Sequence, residues 1–188
     1  MPTAVQTPPA GGLLTAEVFA EHFAGRRVEL VAGRVVEVPV SFPKHGKVCS
    51  RVAQFVGNFA DAHDLGHVVS NDAWIVTRRG DDTARGPDVC FFSYTRLPKG
   101  PLPEGLLPVV PEVVFEVRSP TDRWTAVVVK MLEYLAAGVS VVVILDPKTK
   151  SASVFRDEDR QDIIEEHQEL TLPDVLPGFA VPARKFFE

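Results

Sequence analysis

Three short apolar segments constrain the possible folds of this chain more than any other feature. They span residues 88–92, 113–118 and 141–146, and valine and phenylalanine dominate them. Apolar segments this short and continuous are typical of strands that are buried on both faces of a sheet. A helical pattern over 122–137 separates the last two segments and ends at Gly138. A strand, a helix and a strand in this order predict a right-handed crossover between two parallel strands.

The rest of the chain predicts elements that pack around this centre. Apolar residues at helical spacing predict two further helices, and alternating or β-rich segments predict strands. The predicted fold class is therefore α/β or α+β, with a mixed central β-sheet flanked by helices. The predicted helices cover 15–23 and 45–63, the predicted strands cover 27–31, 34–40, 67–76 and 151–155, and a loop covers 77–87. Residues 176–181 and 185–187 are expected to close the core at the C-terminus.

The length and composition predict one domain. The chain has 188 residues, 45% of them hydrophobic, which is enough for a proper core. Residues 1–12 are rich in proline, glycine, alanine and threonine, so we expect a flexible leader followed by a single domain over 13–188. No apolar segment is long enough to cross a membrane, and the first residues lack the basic region of a secretory signal. We therefore expect a cytoplasmic protein without membrane association.

The cysteines and histidines give little sign of a metal centre of their own. Only Cys49 and Cys90 are present, too few for a disulfide framework or a zinc knuckle, and both are predicted to be inert core residues. His63 and His67 have the spacing of a helical zinc pair. Gly66 interrupts the helix that this spacing requires, so we expect loop histidines.

The charge of the chain weighs against nucleic acid as a partner without excluding it. The formal net charge is −5, whereas phosphate groups favour basic surfaces. The charge is unevenly distributed: residues 157–169 contain seven acids and one arginine, whereas 78–130 contain eight bases and seven acids. A bound divalent cation would neutralise two of those seven acids if they form the site proposed next.

Two acidic residues lie within the apolar segments. Glu116 stands in the middle of one predicted strand, and Asp88 begins another, directly after Gly86 and Pro87. A buried carboxylate is costly unless it is paired or bound to a metal. Two carboxylates on neighbouring strands can share Mg²⁺ or Mn²⁺, because hard cations take oxygen ligands. Either residue alone is explained more simply by a strand end or a structural salt bridge, but the two together favour a metal site.

Cationic and phenolic side chains are predicted beside these acids. Alternation along the strand puts Arg118 on the same face as Glu116. On the following helix, Lys130 and Tyr134 are four residues apart and flank the apolar stripe. Such a set suits hydrolysis of a phosphodiester, in which a lysine offsets developing charge, although Lys130 could equally extend its ammonium into solvent. The predicted buried stripe of the helix comprises Trp124, Val127, Val128, Met131 and Leu135.

Other common hydrolase and nucleotide-binding motifs are absent from the sequence. It contains no G-x-S-x-G elbow, no G-x-x-x-x-G-K-[ST] loop, no G-x-G-x-x-G fingerprint and no H-E-x-x-H pair. The commonest serine-hydrolase and nucleotide-binding alternatives are therefore disfavoured.

An ordered set of motifs runs through nearly the whole chain. The motifs are ELVAGRV at 29–35, GPDV at 86–89, EVRSP at 116–120, Lys130 with Tyr134, Gly138-Val139, Asp146-Pro147 and LPGF at 176–179. This set resembles the bacterial Uma-type restriction endonuclease family of the PD-(D/E)XK nuclease superfamily. The resemblance implies a restriction-endonuclease-like fold, a divalent metal (Mg²⁺ or Mn²⁺), a nucleic-acid substrate, most naturally DNA, and often a homodimer.

The resemblance assigns roles to individual residues. Asp88 and Glu116 match the two metal-binding acids, whereas the lysine of the motif would fall at position 118, where this chain has arginine. In this family the next helix is thought to supply the lysine, and Lys130 occupies that place. Because an arginine stays protonated, Arg118 suits phosphate binding better than base catalysis, and it is expected to steady the scissile phosphate with Tyr134. The choice between Lys130 and Arg118 for the lysine role stays open.

Two accessory residues and two alternative functions complete the predictions. Glu29 resembles, more loosely, an additional N-terminal acid of related nucleases, and His45 is either a phosphate contact or a residue that only begins a helix. One alternative is an inactive nucleic-acid-binding or assembly module on the same fold; a Lys130 ammonium that points away from the acids would favour it. The other is a phosphodiesterase acting on a small nucleotide, which a closed, narrow pocket would favour. The sequence does not distinguish DNA from RNA, or indicate a partner methyltransferase.

Overall fold

The computed structural model describes residues 12–188. The predicted leader lies outside these residues except for Gly12, so the division into a leader and one domain stays a prediction. Within the described residues, no helix is both long and apolar enough to cross a membrane. The helices are α1 (Ala16–Phe23), α2 (Pro43–Ala62), α3 (Trp124–Ala136) and a 3-10 helix (Ala183–Phe186).

The strands form two larger sheets and one small hairpin. The strands are β1 (Val28–Val31), β2 (Arg34–Glu37), β3 (Gly66–Ser70), β4 (Ile75–Arg78), β5 (Thr83–Arg85), β6 (Val89–Ser93), β7 (Val113–Val117), β8 (Val141–Asp146), β9 (Ser151–Phe155), β10 (Gln161–Ile164), β11 (Glu169–Leu172) and β12 (Leu176–Pro182). The order in the first sheet is β2-β1-β5-β4, and the order in the second is β10-β9-β8-β7-β6-β3. In the hairpin, β11 pairs with β12.

The six-stranded sheet contains the three apolar segments as β6, β7 and β8. The strands β7 and β8 are parallel, whereas β6 pairs with β7 and β9 with β8 in antiparallel fashion. Helix α3 is the crossover between the parallel pair, as the strand–helix–strand pattern predicts. The mixed sheet with helices packed on it confirms the predicted fold class.

The two faces of this sheet pack against different helices. Odd-numbered residues of the central strands, such as Phe115 and Val143, belong to the core that contains the buried face of α2. Even-numbered residues, such as Val114 and Val142, belong to the core that contains Met131 and Tyr134 of α3. Even-numbered side chains of β7 therefore point toward α3, as does Glu116.

The buried stripe of α3 differs from the prediction. Trp124 is 40% exposed and Tyr134 is completely buried. Trp124 is the first residue of the helix, so no preceding helical turn packs beside its side chain. Tyr134 is central because its hydroxyl group has a partner in the interior, which periodicity alone does not reveal.

The region between α2 and β6 contains more structure than predicted. The expected single strand over 67–76 is broken at Asn71 and Asp72, which have φ angles of 69° and 56°. These left-handed residues end β3 in the large sheet and direct the chain to β4 in the smaller one. The predicted loop contains β5, which is only three residues long and therefore too short to show an alternating pattern.

The smaller sheet brings the N-terminal hairpin to the same region of the protein. Ala32 and Gly33 both have positive φ angles, 49° and 70°, as a two-residue hairpin turn requires. Strand β1 pairs with β5 through Leu30 and Ala84. Because β5 leads directly into β6, Glu29 of β1 comes close to the beginning of β6.

We predict that Gly66→Ala lowers the free energy of unfolding by about 2 kcal/mol or more. A Cβ atom at this position would lie 2.0 Å from the carbonyl oxygen of Phe92, so the β3–β6 pair must move apart. The matched control is Gly57→Ala in α2, where no atom lies within 4 Å of the added Cβ. Because alanine favours helix, this control should raise the free energy by about 1 kcal/mol. Urea unfolding of both variants measures the difference, and equal midpoints would contradict the prediction.

Candidate active site

The two predicted metal-binding acids lie opposite each other on β6 and β7. The antiparallel register pairs Val89 with Phe115. Asp88 precedes Val89 and Glu116 follows Phe115, so these two acids lie opposite each other. Opposed residues of an antiparallel pair project to the same face, with their side chains close together. The Oδ2 atom of Asp88 also accepts a hydrogen bond from the backbone N–H of Val117 at 2.7 Å, which fixes the carboxylate at the end of the strand.

The Lys130 ammonium lies between two carboxylates. Its Nζ atom is 2.9 Å from Oε1 of Glu116 and 3.1 Å from Oε1 of Glu29. The α3 crossover carries Lys130 across the face of the sheet on which Glu116 projects. The amine therefore points toward the acids and not into solvent, which removes the geometric argument for the inactive alternative.

Tyr134 fixes the same carboxylate from one helical turn further along α3. Its hydroxyl group donates a 2.7 Å hydrogen bond to Oε1 of Glu116. Because Tyr134 is fully buried, the hydroxyl group cannot approach a phosphate in the arrangement seen here. The structure therefore places the Tyr134 hydroxyl group against Glu116, and not where the predicted contact with the scissile phosphate requires it.

The acid and the amine have strongly shifted pKa values. Burial raises the pKa of Glu116 to about 7, Lys130 opposes this increase, and the nearby charge of Asp88 adds to it. Burial by itself would lower the pKa of Lys130, but the charges of Glu116 and Glu29 raise it above its ordinary value. Lys130 therefore carries a positive charge at neutral pH.

An ion-pair network extends this arrangement to the N-terminal hairpin. Arg85 donates hydrogen bonds to both Glu29 and Glu133, at 2.9 Å and 2.7 Å for the shortest contacts. The backbone N–H of Gly86 also donates to Glu29, at 3.1 Å. Burial raises the pKa of Glu29, but Lys130 and Arg85 more than offset this effect, so its pKa is lower than usual. The loose match at Glu29 is thus a central residue of the network.

Arg85 and Glu133 were not among the predicted residues. Each is one charged residue among several in a polar segment or on a helix, and its importance comes from pairing across the fold. Their positions are the only signals in the sequence that point to the site. Arg85 stands three residues before Asp88, and Glu133 stands three residues after Lys130. An i, i+3 spacing places Glu133 on the same side of α3 as Lys130.

Arg118 lies at the other end of the site. It forms an ion pair with Asp146 at the end of β8, and its guanidinium carbon is 5.3 Å from the centre of the Trp124 ring. Its Nε–H group is buried and has no hydrogen-bond partner within residues 12–188. Asp146 also accepts a hydrogen bond from the backbone N–H of Lys148, so it begins a turn, as predicted, and orients Arg118 as well.

His45 reaches the acids from helix α2. It lies in the first turn of α2, and its Nε2 atom is 3.4 Å from Oδ2 of Asp88. The hydrogen bond with Asp88 raises the pKa of His45, although burial opposes the increase. His63 and His67, in contrast, bond to separate backbone carbonyl groups, those of Phe59 and Pro98.

The acids and the cationic side chains around them line a cleft with a volume of about 200 Å³. Its wall includes every predicted site residue except Tyr134 and Glu29: Asp88, Glu116, Arg118, Lys130 and His45. Exposed residues such as Arg27 and Thr121 stand at its rim, so the cleft is not a closed chamber. A second cavity of about 600 Å³ adjoins it, and the two share Arg27, Val38, Asp72 and Gly86.

The donor set suits a hard divalent cation. Asp88 and Glu116 provide carboxylate oxygens from adjacent strands, as Mg²⁺ and Mn²⁺ prefer. The charge of Asp88 raises the pKa of Glu116 and, together with burial, that of Asp72. A cation placed between the carboxylates would reduce this repulsion. Asp88 and Glu116 are therefore the residues that would hold the metal.

Comparison with known proteins identifies the family of the chain. The profile of the Uma2 family, described as "Putative restriction endonuclease", matches residues 17–184. This chain belongs to the Uma2 family. A comparison with curated proteins finds no match.

A crystal structure similar to this Uma2 protein is known from Anabaena variabilis. It is described as "a putative nuclease belonging to DUF820", and it shares 17% sequence identity with a TM-score of 0.78. The match covers 93% of this chain and 97% of the other chain. At this identity the likeness shows the fold alone, and it confirms the predicted restriction-endonuclease-like architecture.

We predict that Lys130→Met lowers the free energy of unfolding by about 3 kcal/mol at pH 8, because Glu116 then loses its ion-pair partner and Glu29 keeps only Arg85. Loss of Lys130 raises the pKa of Glu116 further above 4.5. A carboxyl group whose pKa is raised in the folded state stabilises that state at low pH. The decrease in the free energy of unfolding caused by Lys130→Met should therefore become smaller as the pH falls to 5.5.

Urea unfolding at both pH values measures this effect. The matched control is Lys99→Met, because Lys99 pairs with Asp64 where both side chains are about two-thirds exposed. This surface pair should change stability by less than about 1 kcal/mol at either pH. An equal effect of the two substitutions would refute the buried-pair interpretation.

Proposed function

We propose that this Uma2 protein is a divalent-metal-dependent endonuclease that hydrolyses phosphodiester bonds of DNA. The observation that carries the proposal is the convergence of Asp88, Glu116 and the Lys130 ammonium on one cleft. Membership of a family described as restriction endonucleases supports nuclease chemistry. The free thiols of Cys49 and Cys90 are compatible with the cytoplasm as its location.

Asp88 and Glu116 would hold Mg²⁺ or Mn²⁺ at the start of β6 and near the C-terminal end of β7. When bound, the metal polarises the phosphate and lowers the pKa of a water molecule. The protein keeps both acids in place: the backbone N–H of Val117 orients Asp88, and the Tyr134 hydroxyl group orients Glu116. Tyr134 is thus a positioning residue in this proposal.

Lys130 provides positive charge where the phosphate gains negative charge. Its raised pKa keeps it protonated, so it stabilises charge and orients water but does not accept the proton. Glu29 and Arg85 hold the ammonium in position from the N-terminal sheet. The lysine of the motif is therefore assigned to Lys130, and Arg118 has a different role.

Arg118 would bind a phosphate oxygen of the substrate strand. It lines the cleft, and its buried Nε–H group lacks a partner within the described part of the chain. A planar guanidinium group that is oriented by Asp146 is well suited to phosphate oxygens. With Lys130 and the exposed Arg27, it forms a cationic path past the two acids despite the overall charge of −5.

The exposed rim of the cleft favours a polymer over a small nucleotide. Four of the residues that line it, Arg27, Pro39, Thr121 and Asp122, are exposed. A strand can therefore pass through the cleft without having its ends enclosed. We further propose a homodimer, as the family resemblance implies, because two copies would provide one site for each strand of a duplex.

We predict that Asp88→Asn and Glu116→Gln each reduce metal-dependent nicking of a supercoiled plasmid by at least about a hundredfold. Both substitutions keep the shape of the side chain and remove its charge. The control is Asp157→Asn, which changes an exposed acid of a distant turn and should leave the rate unchanged. Separate assays with single-stranded DNA, RNA and bis-p-nitrophenyl phosphate identify the substrate class.

Equal activity of wild type and both acid variants would identify a contaminant. Binding of DNA without cleavage in Mg²⁺ or Mn²⁺ would favour the inactive binding module. Cleavage of the small phosphodiester alone would favour the phosphodiesterase. Light scattering of the same preparations tests the proposed dimer.

The affinity for Mn²⁺ should depend on pH because Glu116 must lose its proton before it binds the metal. Its pKa of about 7 predicts that the affinity falls by about tenfold for each pH unit below 7 and levels off above it. The Tyr134→Phe variant removes a hydrogen bond that lowers this pKa, so the inflection should move to higher pH. Calorimetric titrations from pH 5.5 to 8.5 measure both curves, and a flat wild-type curve would contradict the assignment.

A further inference from the structure

A second group of metal-ligand side chains lies at the first turns of α2. His45 and Cys49 are one helical turn apart, and the Cys49 sulfur is 3.4 Å from Nδ1 of His45. On the other side of the same ring, Nε2 of His45 is 3.4 Å from Oδ2 of Asp88. One donor atom from each of the three residues lies within 4.8 Å of the other two. The sequence predicted an inert core role for Cys49, whereas the structure places its thiol beside a histidine and a carboxylate.

The three donors have the chemistry of a zinc site and differ from the Asp88–Glu116 pair. Zinc binds thiolate at about 2.3 Å and imidazole or carboxylate at about 2.0–2.2 Å. In a tetrahedral site, such bonds place the ligand atoms about 3.3–3.8 Å apart. With one ring nitrogen of His45 as the ligand, the three donor atoms lie within 4.8 Å of one another, so side-chain rotations would have to bring them closer by up to about 1 Å. Mg²⁺ has little affinity for sulfur or imidazole, so the two donor sets select different metals.

We propose that His45, Cys49 and Asp88 form a binding site for Zn²⁺ or a metal of similar softness, with water as the fourth ligand. Asp88 would belong to both sites. His45 and Asp88 line the cleft, which gives a metal ion access from solvent, and Cys49 lies partly buried behind them. Binding replaces the thiol proton, which passes to solvent as the sulfur–metal bond forms.

The surroundings of the thiol attract a cation. Burial is the main cause of the raised pKa of the Cys49 thiol, and the negative charges of Asp88, Asp72 and Glu116 add to the increase. The same charges oppose a bare thiolate and favour a divalent cation beside it. A metal ion at this position would therefore satisfy carboxylates that otherwise repel one another.

Occupation of this site would switch the nuclease off. Asp88 cannot serve both metals with its full charge, so bound Zn²⁺ would weaken binding of Mg²⁺ or Mn²⁺ at the Asp88–Glu116 pair. This inhibitory role rests on the proposed nuclease function. The zinc site itself does not, because it can be measured without any substrate.

Cobalt(II) provides the direct test. Titration of the metal-free full-length protein with Co²⁺ should produce the intense near-ultraviolet absorption of a cobalt–thiolate bond, and one equivalent of Zn²⁺ should abolish it. The control variant Cys90→Ala should keep the band, since Cys90 is buried in the core and does not line the cleft. Cys49→Ser should lose the band, and His45→Gln should bind Co²⁺ at least about tenfold more weakly.

Absence of the band in the wild type would overturn the proposal, as would a band that survives Cys49→Ser. Cys49→Ala provides a second thiol-free variant, and circular dichroism with urea unfolding shows that the variants are folded. The zinc site would thereby be tested even if one substitution disturbed the helix.

The nuclease assay tests the inhibitory role separately. Wild type and Cys49→Ser should cut plasmid DNA equally in Mn²⁺, whereas low concentrations of Zn²⁺ should inhibit the wild type at least about tenfold more strongly. Equal inhibition of both would mean that Zn²⁺ acts only at the Asp88–Glu116 pair, and it would overturn the shared role of Asp88. A cobalt band with no cleavage under any condition would support the zinc site while the proposed function fails.

Discussion

The position of one ammonium group between two buried carboxylates holds the candidate site together. Lys130 contacts Glu116 on the central sheet and Glu29 on the N-terminal sheet, so a single side chain of α3 connects both sheets. Each carboxylate would be costly in this interior without the cation, and the cation without them. The positions of β1, β7 and α3 are therefore linked by electrostatics as well as by packing, and a functional site results from the same contacts.

Much of the central sheet could be predicted from the sequence because its pattern is local. The segments that became β6, β7 and β8 are short and apolar, and the helix between two of them implies a parallel crossover. Asp88 and Glu116 stood out because a charged residue is conspicuous in such a segment. Trp124 and Tyr134 were less predictable, because the depth of each side chain depends on where α3 begins and on a partner for the tyrosine hydroxyl group.

The parts that sequence reasoning missed depend on contacts between distant segments. Arg85 lies in a strand of only three residues, and its meaning comes from Glu29 and Glu133, which are 56 and 48 positions away. Cys49 looked like one more small core residue, because its neighbours His45 and Asp88 come from the start of a helix and the start of a strand. Local periodicity describes an element but not the side chains that another element brings to it.

The ion-pair network joins the N-terminal hairpin to a helix about one hundred residues later, through Glu29, Arg85 and Glu133. A ribosome-bound chain that has not yet exposed α3 has neither Lys130 nor Tyr134 to organise Glu116. Such a chain can form the early hairpin and α2, but its acids have no fixed arrangement. If the proposed nuclease activity is correct, a growing chain would acquire it only after α3 has been synthesised.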